Sequence, residues 1–111
     1  MMEKLLEEVT QSVTNEYVRA GEQYGFLFNS NHEAYAVTLE ELQETQDEIK
    51  RCSSALDKVW AMVKDDSYSD EDKLTSLKLV QTNAMLAACE AIQVAAMAVK
   101  SMFTIEGRRG S

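Results

Sequence analysis

The stretch YAVTLEELQETQDEIKRCSSALDKVWAMV, residues 35–63, decides the fold. Tyr35, Leu42, Ile49, Leu56 and Val63 recur every seven residues, and Thr45, Cys52 and Val59 fill the offset positions. A seven-residue apolar repeat marks a helix that packs along a seam against other helices. No residue in the stretch breaks a helix, because it holds neither glycine nor proline. Upstream, Ser30 with Glu33 three residues later fits a capping box, which starts this helix near Asn31. A helix from there to Val63 spans on the order of 48 Å at ~1.5 Å per residue. That is long for so short a chain, so its far end is expected to pack on a second copy.

Two further helices flank it. Leu5, Leu6, Val9, Val13, Tyr17, Ala20 and Tyr24 recur at three- and four-residue steps, which predicts a helix over about 3–24 with one apolar face. Gly21 and Gly25 weaken its end, and residues 26–31 connect it to the second helix. Residues 64–70 form a polar break, and Ser69 with Asp72 offers a second N-cap. The third helix is expected over about 70–103. From Leu79 to Phe103 only Glu90 and Lys100 are charged, a pattern that predicts burial on nearly every side. Glu90 interrupts the apolar run near its middle, which argues against a membrane span.

The whole chain agrees with an all-α bundle of three long helices, completed by oligomerisation. It has 111 residues, no proline and four glycines, with 19 acidic against 11 basic residues and a net charge of −8. One domain is expected from this length. Turn-rich β architectures and Pro- or Gly-rich linkers are excluded. The acidic excess argues against binding a nucleic-acid polymer or an anionic membrane, since both need a basic patch. Residues 105–111, IEGRRGS, read as an engineered protease site followed by a tag remnant, which leaves residues 1–104 as the domain. Cys52 and Cys89 have no CxxC spacing and read as buried thiols of a reduced, cytoplasmic protein. Trp60, Tyr35 and the methionines read as core.

Carboxylate placement carries the chemistry. On the second helix Glu41, Glu44 and Glu48 share one stripe, while Glu40 and Asp47 lie nearer the back. On a solvated face such a run is ordinary. If buried, it needs a cation. On the third helix Glu90 sits among apolar residues, with Thr82, Asn83, Gln93, Lys100 and Ser101 on the same side. A buried carboxylate shifts its pKa, pairs with a cation or binds a metal. Lys78, Arg51 or Lys100 of another copy are the alternative partners for Glu90. Convergence of Glu41, Glu44 and Glu90 would give hard oxygen donors suited to Mg²⁺ or Mn²⁺. A single histidine excludes a Ser/His/Asp arrangement and a His/Cys zinc site, and His32 reads as part of a helix start.

The run His32-Glu33-Ala34-Tyr35-Ala36-Val37-Thr38-Leu39-Glu40-Glu41-Leu42, followed by Glu44, resembles the first metal-binding helix of MazG-like proteins. These belong to the all-α nucleoside triphosphate pyrophosphohydrolase superfamily. Glu90-Ala91-Ile92-Gln93-Val94-Ala95-Ala96-Met97-Ala98 resembles the later metal-binding helix, notably in phage and prophage members. The resemblance implies a helical bundle assembled as a homodimer or homotetramer. It also implies a Mg²⁺-dependent hydrolase that cleaves nucleoside triphosphates to the monophosphate and pyrophosphate. Carried onto the EExxE motif, Glu40 takes the first position, and Glu41 and Glu44 become metal ligands with Glu90 as a third. Gln93 stands where the later ExxD motif has its aspartate, and Glu48 is the carboxylate available to replace it. The halves are separated by residues 45–89, a longer gap than is usual in the family. Asn83, Lys100 and His32 are the candidate substrate-binding residues. The contrasting expectation is a non-catalytic acidic adaptor that oligomerises through its heptad-like seam.

Overall fold

The computed structural model describes the backbone of residues 1–109 and the side chains of residues 1–107. Among the described residues there are three helices and no strand: α1 (Met2–Tyr24), α2 (Asn31–Val63) and α3 (Asp70–Arg109). The all-α bundle expected from sequence is therefore the fold. The third helix runs on past Phe103 through Arg109, across most of the expected tag remnant. Gly110 and Ser111 of that remnant lie outside the described residues.

The helix ends follow local chemistry. α1 stops at Gly25, whose φ of 96° suits a residue without a Cβ. Its N–H donates to Gly21 O at 2.8 Å. The connector then folds back over α1. The Phe26 ring lies on Gly21 so closely that an added Cβ would sit 2.1 Å from Phe26 Cδ1. Tyr17 holds this arrangement from below, its ring centroid 5.7 Å from that of Phe26 and 5.5 Å from that of Phe103. The expected capping box opens α2, where Glu33 N–H donates to Ser30 Oγ at 3.1 Å. Glu33 in turn accepts from the N–H and the side-chain amide of Asn29, at 3.1 and 3.2 Å. α3 opens in the same way, with Asp72 N–H donating to Ser69 Oγ at 3.2 Å and Ser69 N–H to Asp72 Oδ2 at 3.4 Å.

The chain divides into two compact units whose boundaries fall inside unbroken helices. The first comprises Met1–Leu42 with α3 from Glu90 onward, and the second is Gln43–Cys89. In the first, Ala20, Phe28, Ala34 and Ala96 are buried together with Lys100 and Thr104. Phe28 N–H donates to Thr104 Oγ1 at 2.9 Å, which ties the connector to α3. In the second unit, Thr45, Ala55, Val59 and Ser76 are buried. Cys52 Sγ faces Val80 O at 3.7 Å there.

Burial corrects three expectations. The seven-residue row of α2 is exposed: Tyr35 70%, Leu42 40%, Ile49 52%, Leu56 53% and Val63 51%. The offset row faces inward instead, with Thr45 and Val59 buried and Cys52 half-buried. Trp60 is exposed, and so is Cys89; both cysteines are free thiols. α3 is not buried on nearly every side, since Leu79, Met85 and Leu86 are exposed. The physical reason is the number of elements. The second unit holds only part of two helices, and two helices cannot cover more than one face of each other. By length and composition α3 is apolar enough to cross a membrane: an 18-residue window within Asp70–Gly107 has a mean hydropathy of 1.4, with 11% of it buried.

Candidate functional site

Helical geometry fixes the first part of the site. Glu41 and Glu44 lie one turn apart on α2, so their side chains rise on neighbouring positions of one face. Glu90 comes from α3, in the same unit as Glu41. One carboxylate oxygen from each of Glu41, Glu44 and Glu90 lies within 4.8 Å of the other two. Glu41 and Glu90 are half-buried and Glu44 is exposed. An oxygen of Glu41 and one of Glu90 are closed off from solvent. Two ionised carboxylates at this spacing repel by about 3 kcal/mol at an effective dielectric near 20. A divalent cation or a shared proton relieves that repulsion. Three hard oxygen donors are the ligand type that suits Mg²⁺ or Mn²⁺.

A cavity of about 450 Å³ lies in the first unit, and Glu41 is part of its wall. Gln93 and Lys100 of α3 line it, as do Arg19 and Tyr24 of α1 and Phe28 and Asn29 of the connector. Its volume falls in the range of small-molecule sites. Val37, Leu27 and Met97 supply apolar wall. Arg19 is tied to Glu16, donating from Nε to Oε2 at 2.9 Å. That bond holds the Glu16 carboxyl below its ordinary value. Lys100 is 7% exposed, and its Nζ sits 4.3 Å from the centroid of the Phe28 ring. Among the described residues it makes no ion pair.

The expected site residues separate into two groups. Glu41, Glu44 and Glu90 come together, and Gln93 and Lys100 share the cavity with Glu41. Glu48 stands apart from the three-glutamate group; its Oε1 accepts from Arg51 Nη1 at 2.6 Å. Glu40 is exposed and outside the group, as the turn of the helix requires of the residue before Glu41. Asn83 belongs to the second unit, where it lines a different cleft of about 350 Å³ with Lys50, Arg51 and Lys58. His32 is exposed in the first turn of α2 and is absent from the cavity wall. Neither of these two joins Lys100, because α2 and α3 each carry several polar stripes and sequence spacing does not say which one meets the cavity.

Sequence reading missed Arg19, Tyr24, Phe28 and Asn29. Their common signal is weak: Arg19 is the sole cation in the second half of α1, and the connector is rich in aromatics for its length. Comparison with protein-family models, with curated proteins and with solved structures finds no match to this chain.

Proposed function

We propose that this chain is a Mg²⁺-dependent nucleotide pyrophosphohydrolase of the MazG-like type, cleaving a (d)NTP to the (d)NMP and pyrophosphate. The observation that supports it is the meeting of Glu41, Glu44 and Glu90 within shared cation reach, with Glu41 also in the wall of a nucleotide-sized cavity. In this reading Glu41, Glu44 and Glu90 hold the cation. Mg²⁺, when bound, would neutralise phosphate charge and lower the pKa of a water, easing loss of its proton to solvent before it attacks. The chain's own residues bind and orient the substrate. Gln93 would offer a neutral oxygen ligand in place of a carboxylate, Tyr24 and Leu27 would give apolar surface to the nucleoside, and Lys100 would supply positive charge.

The reading includes a cytoplasmic, homo-oligomeric protein that binds neither membrane nor nucleic-acid polymer. α3 carries Glu90 and Lys100 inside its apolar run, and both are costly in hydrocarbon. The exposed α2 row gives a second copy a surface to cover.

The test is pyrophosphate release from a panel of ribo- and deoxynucleoside triphosphates with Mg²⁺. Release that falls by at least two orders of magnitude in Glu41→Gln and Glu90→Gln is the expected result. No release from any nucleotide, with wild type and Glu41→Gln indistinguishable, overturns the enzymatic reading. In that case the exposed row favours the second reading, an acidic helical adaptor that oligomerises without specific divalent binding.

A further inference from the structure

The ammonium of Lys100 is the least explained charge in the first unit. The residue is 7% exposed, it lines the cavity, and among the described residues it has no carboxylate within ion-pair distance. The ammonium lies over the face of Phe28, 4.3 Å from the ring centroid. That ring is itself fixed, since Phe28 is buried and its N–H is bonded to Thr104 Oγ1, and Thr104 donates back to Lys100 O at 2.8 Å. A cation–π contact compensates part of the cost of burying an ammonium but leaves its three N–H donors unused. The other cavity cation differs in this respect, because Arg19 already gives its donors to Glu16 and Gln23.

Position along the cavity says what those donors meet. Gln93 and Lys100 are seven residues apart on α3, two turns or about 10 Å. With phosphates at the Glu41 and Gln93 end, Lys100 lies a nucleoside's length away, where the base edge would lie. An ammonium donates and never accepts. It can bond a carbonyl oxygen of a base, whereas an exocyclic amino group would point its own N–H groups at the cation. We propose that Lys100 selects nucleotides whose base carries a keto oxygen at the purine 6- or pyrimidine 4-position, as guanine, hypoxanthine, uracil and thymine do, over adenine and cytosine, which carry an amino group there. The inference rests on the nucleotide reading of the cavity and adds which bases it admits.

Inosine and adenosine nucleotides isolate the effect, since they differ at the 6-position in the same purine frame. Calorimetric binding of IMP and AMP, with Mg²⁺ present and no turnover, is the primary measurement. IMP is expected to bind about tenfold tighter or more, in line with one charge-assisted hydrogen bond gained and one unmatched amino group avoided. In Lys100→Met the preference should shrink to about twofold or less, and in Lys100→Gln, whose amide both donates and accepts, it should likewise flatten. Circular dichroism identifies any variant that loses helicity, and the wild-type preference then decides alone. Equal binding of IMP and AMP by wild type, or no binding of either, overturns the inference. Pyrophosphate release from ATP and ITP is followed separately. Release at equal rates with equal binding removes the keto selection and keeps the enzyme, while a preference for IMP without release from any triphosphate keeps the selection and removes the enzyme.

Discussion

A carboxylate oxygen of Glu41 lies within 4.8 Å of one of Glu90, although the two residues are 49 positions apart in the chain. Glu44 closes the triangle from one turn further along α2. Carboxylates this close repel when all are ionised, and a bound divalent cation or a shared proton relieves that repulsion. Millimolar Mg²⁺ or Mn²⁺ should therefore raise the melting temperature of the wild type. At a concentration one hundred times Kd the gain is about 2.7 kcal/mol. Glu41→Gln and Glu90→Gln should each abolish most of that gain. The comparison is made within each variant, with and without metal, so any change in its metal-free melting temperature cancels. Differential scanning calorimetry with and without Mg²⁺ checks both. A metal response that survives in both variants would contradict the assignment.

The connector gives a second, purely structural expectation. Gly21→Ala puts a methyl 2.1 Å from Phe26 Cδ1, so the ring has to leave the α1 surface. That should cost about 1–3 kcal/mol, the range for overpacking a fitted contact. Loss of the Tyr17–Phe26 contact would appear in near-ultraviolet circular dichroism. Gly25→Ala has no neighbour within 4 Å and fails for a different reason, its φ of 96°. The backbone cost there is about 1–2 kcal/mol. Urea denaturation should show both variants destabilised, with the aromatic signal changed most in Gly21→Ala.

What the sequence revealed follows how local each feature is. Ser30 with Glu33 and Ser69 with Asp72 were readable as helix starts, because a capping box needs only four consecutive residues. Glu41 and Glu44 were readable as neighbours for the same reason. Pairing them with Glu90 drew on its polar stripe and on the family resemblance, since it depends on how α2 meets α3. The α1 and connector side of the cavity was not legible: Arg19, Tyr24, Phe28 and Asn29 reach it only because the chain reverses at Gly25 and the Phe26 ring lands on Gly21. The orientation of α2 was read the wrong way round. Tyr35, Leu42, Ile49 and Leu56 look more like core than Ala34, Glu41, Thr45 and Glu48. The more polar row nonetheless faces inward, toward the carboxylate group, and the more apolar row is left outside.

The Glu16–Arg19 pair sets an acid dependence. Hydrogen bonding from Arg19 lowers the Glu16 pKa from 4.5, opposed in part by burial. A carboxyl whose folded pKa is depressed adds stability above its unfolded value and loses it as pH falls through the folded value. The pair should therefore stabilise the chain at pH 6–7 and stop doing so in the acid range below about 4.5. The Arg19 side chain is largely exposed, so the contribution is small and screened by salt. Arg19→Gln should narrow the difference in melting temperature between pH 7 and pH 3 relative to wild type. Raising the salt concentration should narrow it more in wild type than in the variant.

The exposed row of α2 makes the sharpest contrast between neighbouring substitutions. Ile49, Leu56 and Trp60 are 52%, 53% and 58% exposed, while Val59, between the last two, is 9% exposed. A half-exposed side chain of this size leaves on the order of 100 Å² of surface. Five or six of them along one helix present on the order of 500 Å², the upper part of the range for the largest apolar patch on a monomer. If a second copy covers the row, Ile49→Glu and Leu56→Glu should convert an oligomer to a monomer. Their helical content should stay near the wild-type value, because neither side chain enters the core of its own chain. Val59→Glu should instead unfold the second unit, since it buries an unpaired charge. Light scattering coupled to size exclusion, read beside far-ultraviolet circular dichroism, separates the two effects. A wild-type chain that runs as a monomer at high micromolar concentration would rule out self-association through this row. The open apolar surface would then need a different partner.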